Sequence, residues 1–369
     1  MAKVVAEKKK ALKIPTAKVA VSEAIKESGT SHDLKAYKKG KNLGSNTGFK
    51  PQEWLPVSDA FSEATGLKGI PMGHITLLRG LSDTGKTTLL IEGIVSAQKH
   101  GKLPVIIVTE MKWSFEHAKM MGMEMDEIVD TETGEIRYEG SFIYIDRSSL
   151  ESIEDVAEFI ADLLDDQKKG KLPYDLVFFW DTVGSIPCRL SITSQKNNNE
   201  WNAGAISTQF GNFLNQMIVR SRKIDSQYTN SFVFVNKVWI QKGMVFGELP
   251  KMKNKNGETF WSDCSILATF GGITSQGTQK IKATKDGKEV EFGKRVRVQI
   301  EKNHITGITT STRIIATPHG FIKDDKKEID KYKKDHSQEW AKILGSGDFD
   351  IIEEETSGQG DAYTTEPED

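Results

Sequence analysis

Between Trp54 and Phe321 the chain alternates short, continuous apolar runs with stretches of helical period. The runs Ile75–Leu78, Val105–Val108, Phe142–Ile145, Leu176–Trp180 and Phe232–Val235 are too short for helices. They are also too uniformly apolar for a sheet with one wet face, so each predicts a strand buried on both sides. Helices are predicted at Thr87–His100, Phe115–Met121 and Ala205–Ile224. Another is expected over Ile153–Leu164, where Ile153, Val156, Ala157, Ile160, Leu163 and Leu164 fall at helical spacing. Buried strands separated by helices predict an α/β fold, a mainly parallel twisted sheet with helices on both faces. After Cys264 the texture changes. Lys285-Asp286-Gly287-Lys288, between Ile281 and Val290, predicts a hairpin, and Arg295–Ile300 with Thr312–Ala316 completes an antiparallel extension.

The two ends differ from this body and from each other. Residues 1–53 are polar and lysine-rich, with one short helix expected at Ala17–Glu27, and read as a basic N-terminal segment and candidate protomer-contact arm. Residues 54–325 form the core, 326–345 a short helical segment, and 346–369 an acidic tail expected to be disordered. The net charge of −2 hides this separation of lysines from carboxylates. A basic arm and an acidic tail suggest a polyanion partner for which the tail competes.

The two cysteines, Cys188 and Cys264, have no metal-ligand spacing, which argues against a zinc site and a disulfide framework. No apolar run approaches the roughly 20 residues that span a bilayer, and the N-terminus lacks the apolar stretch of a secretory signal. A reduced, cytoplasmic setting without membrane partners is expected.

The candidate chemistry begins at Gly80-Leu81-Ser82-Asp83-Thr84-Gly85-Lys86-Thr87, which matches G-x-x-x-x-G-K-[ST] between a predicted strand and a predicted helix. Backbone N–H groups of such a loop and the helix N-terminus cradle phosphate. Lys86 is expected on the β- and γ-phosphates of ATP and the Thr87 hydroxyl on Mg2+. Gly80, Ser82, Asp83, Thr84, Gly85 and Thr88 complete the expected nucleotide contacts. Asp181 ends the apolar run Leu176–Trp180 and is the second expected Mg2+ holder, on a strand expected to run next to the first. Glu110 ends the run Val105–Thr109 and is the candidate general base for the attacking water.

Gly69-Ile70-Pro71-Met72-Gly73-His74-Ile75-Thr76 resembles the entry to the phosphate loop of RecA recombinases. The stretch Thr109–Asp126 resembles that family's segment from its catalytic glutamate through its adenine-contacting helix. Val235-Asn236-Lys237 resembles its Ile-Asn-Gln strand end. Gly243-Met244-Val245-Phe246-Gly247 looks like the start of its second DNA loop. Val298-Gln299-Ile300-Glu301-Lys302-Asn303-His304 resembles the strand whose two basic residues reach a neighbouring subunit's ATP.

The resemblance covers roughly residues 54–322. It implies a RecA-like P-loop ATPase core acting as a DNA-dependent ATPase. It further implies helical filaments of the protein on single-stranded DNA and pairing with homologous duplex. A single-strand-binding protein and a mediator would be further partners. Glu110, Lys86, Lys302 and His304 become the implied catalytic set, His117 the adenine contact, and Asn236 with Lys237 the γ-phosphate sensor. Lys237 stands where the family has glutamine and His304 where it has a second lysine, and the long C-terminal domain of bacterial RecA is not evident. These departures point to the phage-encoded, UvsX-type branch.

Two long stretches carry basic groups among aromatic and apolar ones: Cys188–Asn202, with Arg189 and Lys196, and Trp239–Trp261, with Trp239, Lys242, Gly243, Met244, Phe246, Lys251, Lys253 and Lys255. Both are read as loops, and the mixture suits a single strand, charges tracking phosphate while flat groups stack on bases. Two rivals share the nucleotide residues: a ring-forming RecA-core motor of the helicase type, and a nucleotide-gated DNA-binding filament with little turnover.

Overall fold

The computed structural model describes residues 51–189, 192, 227–241, 251–254, 263–272 and 277–353. The chain splits into two compact units, Met1–Pro51 and Gln52–Asp369, and everything below concerns the second. The basic N-terminal segment, the predicted helix at Ala205–Ile224, and Lys196, Lys242, Gly243, Met244, Phe246 and Lys255 lie outside the described residues.

The strands are β1 (Trp54–Leu55), β2 (Ile70–Pro71), β3 (Ile75–Gly80), β4 (Leu103–Val108), β5 (Asp126–Val129), β6 (Ile136–Glu139), β7 (Ile143–Asp146) and β8 (Leu176–Asp181). They continue with β9 (Ser231–Gln241), β10 (Lys251–Asn254), β11 (Ile266–Phe270), β12 (Thr278–Lys285), β13 (Lys288–Asn303), β14 (Thr310–Thr317), β15 (Gly320–Lys323) and β16 (Asp350–Glu353). The helices are α1 (Asp59–Thr65), α2 (Lys86–Lys99), α3 (Phe115–Met120), α4 (Ile153–Lys168), α5 (Lys326–Asp335) and α6 (Ser337–Leu344).

The main sheet runs β15-β14-β13-β11-β3-β9-β8-β4-β7, and the six strands from β11 to β7 pair in parallel. Successive residues of its strands feed opposite cores, as the two-residue period of a strand requires. Leu78, Ile106, Val108, Val177 and Phe179 pack in one cluster with Leu89, Ile91 and Ile94 of α2. Leu77, Val105, Ile107, Phe178 and Trp180 pack in the other with Val156 and Ile160 of α4. This is the mainly parallel, two-faced sheet the apolar runs predict. Helix α4 starts on a capping box, the Ser152 hydroxyl accepting from Asp155 N and the Asp155 carboxylate accepting from Ser152 N. Such caps are worth about 1 kcal/mol.

Three expectations are corrected. First, β8 does not lie beside β3, because β9 runs between them. Asp181 still reaches the phosphate loop because α2 packs over both β8 and β9, with Gly93 seated against the Phe179 ring. Second, Trp239–Trp261 is not a loop throughout. β9 extends to Gln241 and β10 pairs antiparallel with it, Lys253 opposite Trp239 and Lys251 opposite Gln241. Backbone pairing stabilises this basic segment where its side-chain pattern gave no strand signal.

Third, the expected helical segment 326–345 is present, but residues 346–353, expected in the disordered tail, are ordered; residues 354–369 lie outside the described residues. Helices α5 and α6 close a small core of their own against the antiparallel extension, where Phe292 meets Tyr332 and Trp340 at ring-centroid distances of 5.2 and 5.3 Å. Phe349 is buried in that core, and β16 pairs antiparallel with β12. Arg295 holds Asp324 at 2.7 Å and Glu353 at 2.8 Å, so Glu353 of the tail is anchored by charge as well.

Candidate nucleotide site

The site lies where the parallel strands end. At the end of β3, Gly80 has φ 153°, and a Cβ there would come within 2.2 Å of the Phe270 carbonyl oxygen. At the other end of the turn, Gly85 has φ 87° and caps α2 with no side-chain hydrogen bond. The first N–H groups of α2 therefore remain available to an anion, as at other helix N-termini that bind phosphate. Beneath the loop, Arg79 donates to Thr269 Oγ1 at 2.9 Å and to Glu301 at 2.7 Å, tying β3 to β11 and β13. Nothing in the sequence pattern marks Arg79 for that role.

The cleft is lined by Ser82, Asp83, Lys86, Thr87, Val108, Glu110, Lys112, Trp113, Asp181, Val235 and Lys237. Strands β3, β4, β8 and β9 thus bring Lys86, Thr87, Glu110, Asp181 and Lys237 together from across the chain. The strand ends are cross-tied below it. Trp180 Nε1 donates to Thr109 Oγ1 at 3.0 Å, Thr109 Oγ1 to the Thr182 carbonyl at 2.6 Å, and Thr182 Oγ1 to the Val235 carbonyl at 2.9 Å.

Thr87 Oγ1 donates to Asp181 Oδ2 at 2.7 Å. A hydroxyl and a carboxylate so paired are oxygen donors of the kind Mg2+ takes together with phosphate. Burial raises Asp181 above the usual carboxylate range despite the Thr87 hydrogen bond and the Lys86 charge. Lys86 is almost wholly buried, and its ammonium donates to the Leu81 carbonyl and to Thr84 Oγ1. Burial lowers its pKa to about 8, against the opposing pull of Asp181, with Lys237 adding to the fall.

Glu110 is gripped from two sides. Its Oε1 lies 2.5 Å from Lys237 Nζ and 3.0 Å from Lys112 Nζ. Burial pushes the Glu110 carboxyl up, but the bonds and charges of Lys237 and Lys112 together hold it below the usual carboxylate range. Sequence reasoning singled out neither Lys112 nor Trp113 as cleft residues. They sit in the segment after Glu110, and only the turn there points them inward.

Other expected site residues fall elsewhere. His117, on α3, does not line the cleft, and its Nε2 lies 3.1 Å from the Pro318 carbonyl. Asn236 is fully buried in β9, while Trp239 is half exposed further along it. Arg189, expected on DNA, is held by acids at the start of α4, 2.5 Å from Asp155 and 2.7 Å from Glu158. Lys302 stands opposite Leu267, three residues before the Phe270 that neighbours Gly80. At about 3.3 Å per residue this sets it roughly 10 Å back from the level of the phosphate loop. His304 lies beyond it, its N–H donating to the Ser265 carbonyl. Neither lines the cleft of its own chain.

The titration of Lys86 has a consequence for binding. A phosphate needs the ammonium form, which the ligand-free protein loses as pH rises through about 8. Above that pH nucleotide binding must take up a proton, so affinity should fall by up to about tenfold per unit and level off below it. Calorimetric titration in two buffers of different ionisation heat at about pH 9 should show proton uptake that vanishes in Lys86→Ala. The stability effect has the opposite sense. Between pH 8 and the ordinary lysine value of 10.5 the unfolded chain holds more protons at Lys86 than the folded one. Stability from this group therefore rises with pH across that window, because charging the buried amine costs free energy below it.

A glycine-framed loop between a parallel strand and a helix, with a Lys, a Thr–Asp pair and a glutamate converging above it, is the arrangement of a candidate P-loop nucleotide site on an α/β fold. Residues 30–161 match the RecA N-terminal domain family. The chain is 24% identical over 274 residues to Protein RecA of Marinobacter nauticus, covering 72% of this chain and 67% of that protein. It is 23% identical over 265 residues to Protein RecA of Colwellia psychrerythraea, covering 71% and 65%. Against Protein RecA of Treponema denticola it is 21% identical over 266 residues, covering 71% and 54%. Over these stretches the chain is similar to RecA recombinases. It spans roughly half to two thirds of the length of these relatives.

Proposed function

We propose that the protein is an ATP-dependent DNA recombinase that assembles as a helical filament on single-stranded DNA and pairs it with homologous duplex. The observation that carries this reading is the convergence of Lys86, Thr87, Asp181, Glu110 and Lys237 in one cleft, in the order along the chain that resembles the family. Bound Mg2+ would neutralise charge on the β- and γ-phosphates. Thr87 and Asp181 would hold it, Lys86 would bind the phosphates, and Glu110 would orient the attacking water and take its proton. Trp239 and the β9–β10 hairpin that follows would face the DNA. A phage-encoded origin is part of the same reading and rests on Lys237 and His304.

The position of Lys302 favours a site shared between neighbours. It is set back from its own cleft, so its family-like role requires another protomer's nucleotide. The test mixes Lys86→Ala and Lys302→Ala proteins on one DNA strand and measures DNA-stimulated ATP hydrolysis. Each alone should be inactive, and mixtures should regain part of the wild-type rate where an intact phosphate loop meets an intact Lys302. No recovery at any ratio, with both proteins on the DNA, argues against sharing. Rings instead of helices in electron micrographs of the wild type on DNA would favour the motor reading.

One observation favours a second reading, a DNA-binding filament with little turnover. Lys237 and Lys112 both engage Glu110, which weakens it as a base. DNA binding that needs ATP but proceeds without measurable hydrolysis would select that reading.

A further inference from the structure

Away from the nucleotide cleft, the turn between β14 and β15 meets the junction of α5 and α6. His319 comes from the turn, His336 lies between the two helices, and Glu339 is in the first turn of α6. One donor atom from each residue lies within 4.8 Å of the other two. His319 Nε2 is 2.9 Å from Glu339 Oε2, and His336 Nδ1 is 3.5 Å from Glu339 Oε1. The imidazole rings lie 3.7 Å apart, inclined at 23°.

A carboxylate between two imidazoles has an ordinary explanation, an ion pair and a hydrogen bond. Two features go beyond it. His319 Nε2 is buried, yet despite lying 2.9 Å from the carboxylate it makes no hydrogen bond of acceptable geometry among the described residues. Its lone pair or proton is thus buried without a well-directed partner among the described residues. The other ring nitrogen, Nδ1, lies 2.7 Å from the Tyr332 hydroxyl, itself buried in the small core. A metal-bound histidine commonly engages its second nitrogen in this way, which fixes the ring.

We propose that His319, His336 and Glu339 form a binding site for one divalent transition-metal ion of the zinc class. Two imidazole nitrogens and one carboxylate oxygen suit Zn2+, Co2+ or Ni2+, whereas Mg2+ prefers an all-oxygen shell. In a tetrahedral zinc site with bonds of about 2.1 Å, donors lie about 3.4 Å apart. The three donor atoms already lie within 4.8 Å of one another, and half-exposed Glu339 leaves water access for a fourth ligand. The ion would clamp the α5–α6 junction to the β14–β15 turn. That turn also presents the Pro318 carbonyl, which faces His117 of α3 at 3.1 Å, so occupancy would stiffen the C-terminal elements against the body of the fold.

The test uses the full chain with Zn2+ titrated in competition with a chromophoric chelator, and Co2+ absorption as a report on coordination. The wild type should bind one equivalent. His336→Ala and Glu339→Gln should each weaken that equivalent by at least about tenfold, and Tyr332→Phe by a smaller factor through the lost support of His319. Zinc should raise the melting temperature of the wild type and not that of Glu339→Gln, whose melting in chelator should match the wild type because the residue is half exposed. Equal zinc affinity in the wild type, His336→Ala and Glu339→Gln, or no stoichiometric binding by the wild type, would overturn the proposal and leave the cluster as a His–carboxylate ion pair.

Discussion

Replacing Lys86 with alanine should abolish detectable ATP hydrolysis and weaken ATP binding by at least about a hundredfold. The side chain is almost wholly buried at the start of α2, and its ammonium points into the same cleft as Asp181 and Glu110. A preorganised donor of this kind, aimed at developing negative charge, is typically worth about 10²- to 10³-fold in rate. Here its loss would also leave Asp181 and Glu110 facing the polyphosphate with one fewer cation. Folding should survive the change. Burial already disfavours the charged lysine, and that relief offsets part of the cavity left by its methylenes. The check is a fluorescent-nucleotide titration and a phosphate-release assay beside a thermal melt. A variant that melts like the wild type and still hydrolyses ATP at the wild-type rate would remove Lys86 from the site.

The second large effect is expected at the Lys237–Glu110 pair. Glu110→Gln should keep nucleotide binding and lose about 10²- to 10⁴-fold in turnover, the range general-base catalysis supplies. The outcome for Lys237→Gln depends on which of two effects is larger. Freeing Glu110 from the 2.5 Å contact would restore its basicity, worth at most about tenfold per unit of pKa. Removing a cation placed to meet the γ-phosphate would cost about 10²- to 10³-fold. The second term is larger, so Lys237→Gln should hydrolyse ATP about 10- to 100-fold more slowly, with binding less affected. The polyphosphate carries more negative charge than one carboxylate and should draw Lys237 away from Glu110 when it arrives. A single-turnover measurement decides the sign. If Lys237→Gln hydrolysed ATP faster than the wild type, Lys237 would be only a restraint on Glu110.

The sequence by itself determined the main frame of this protein and most of the residues that meet in its candidate cleft. The apolar runs at Ile75, Val105, Leu176 and Phe232 had to be buried strands, because only a sheet covered on both faces can hide residues that are apolar on both sides. The phosphate loop was legible because its glycines answer a local backbone demand, seen at Gly80 and Gly85. Asp181 and Glu110 were legible as acids ending apolar strands. The Asp286-Gly287 hairpin was legible for the same local reason, since both residues have positive φ.

What depended on distant partners was decided only in three dimensions. Strand order was one such matter: β9 lies between β3 and β8 because of pairing that no local pattern encodes. The β9–β10 hairpin and β16 are held by ladders to strands already in place, so segments with weak intrinsic preference become strands. The grip of Lys112 and Lys237 on Glu110, the Arg79–Glu301 tie beneath the loop, and the meeting of His319 with His336 and Glu339 belong to the same kind. A charge in a sequence has no fixed neighbour. Its partner, and with it its basicity and its chemistry, is set by which strand ends and turns the packed cores bring together.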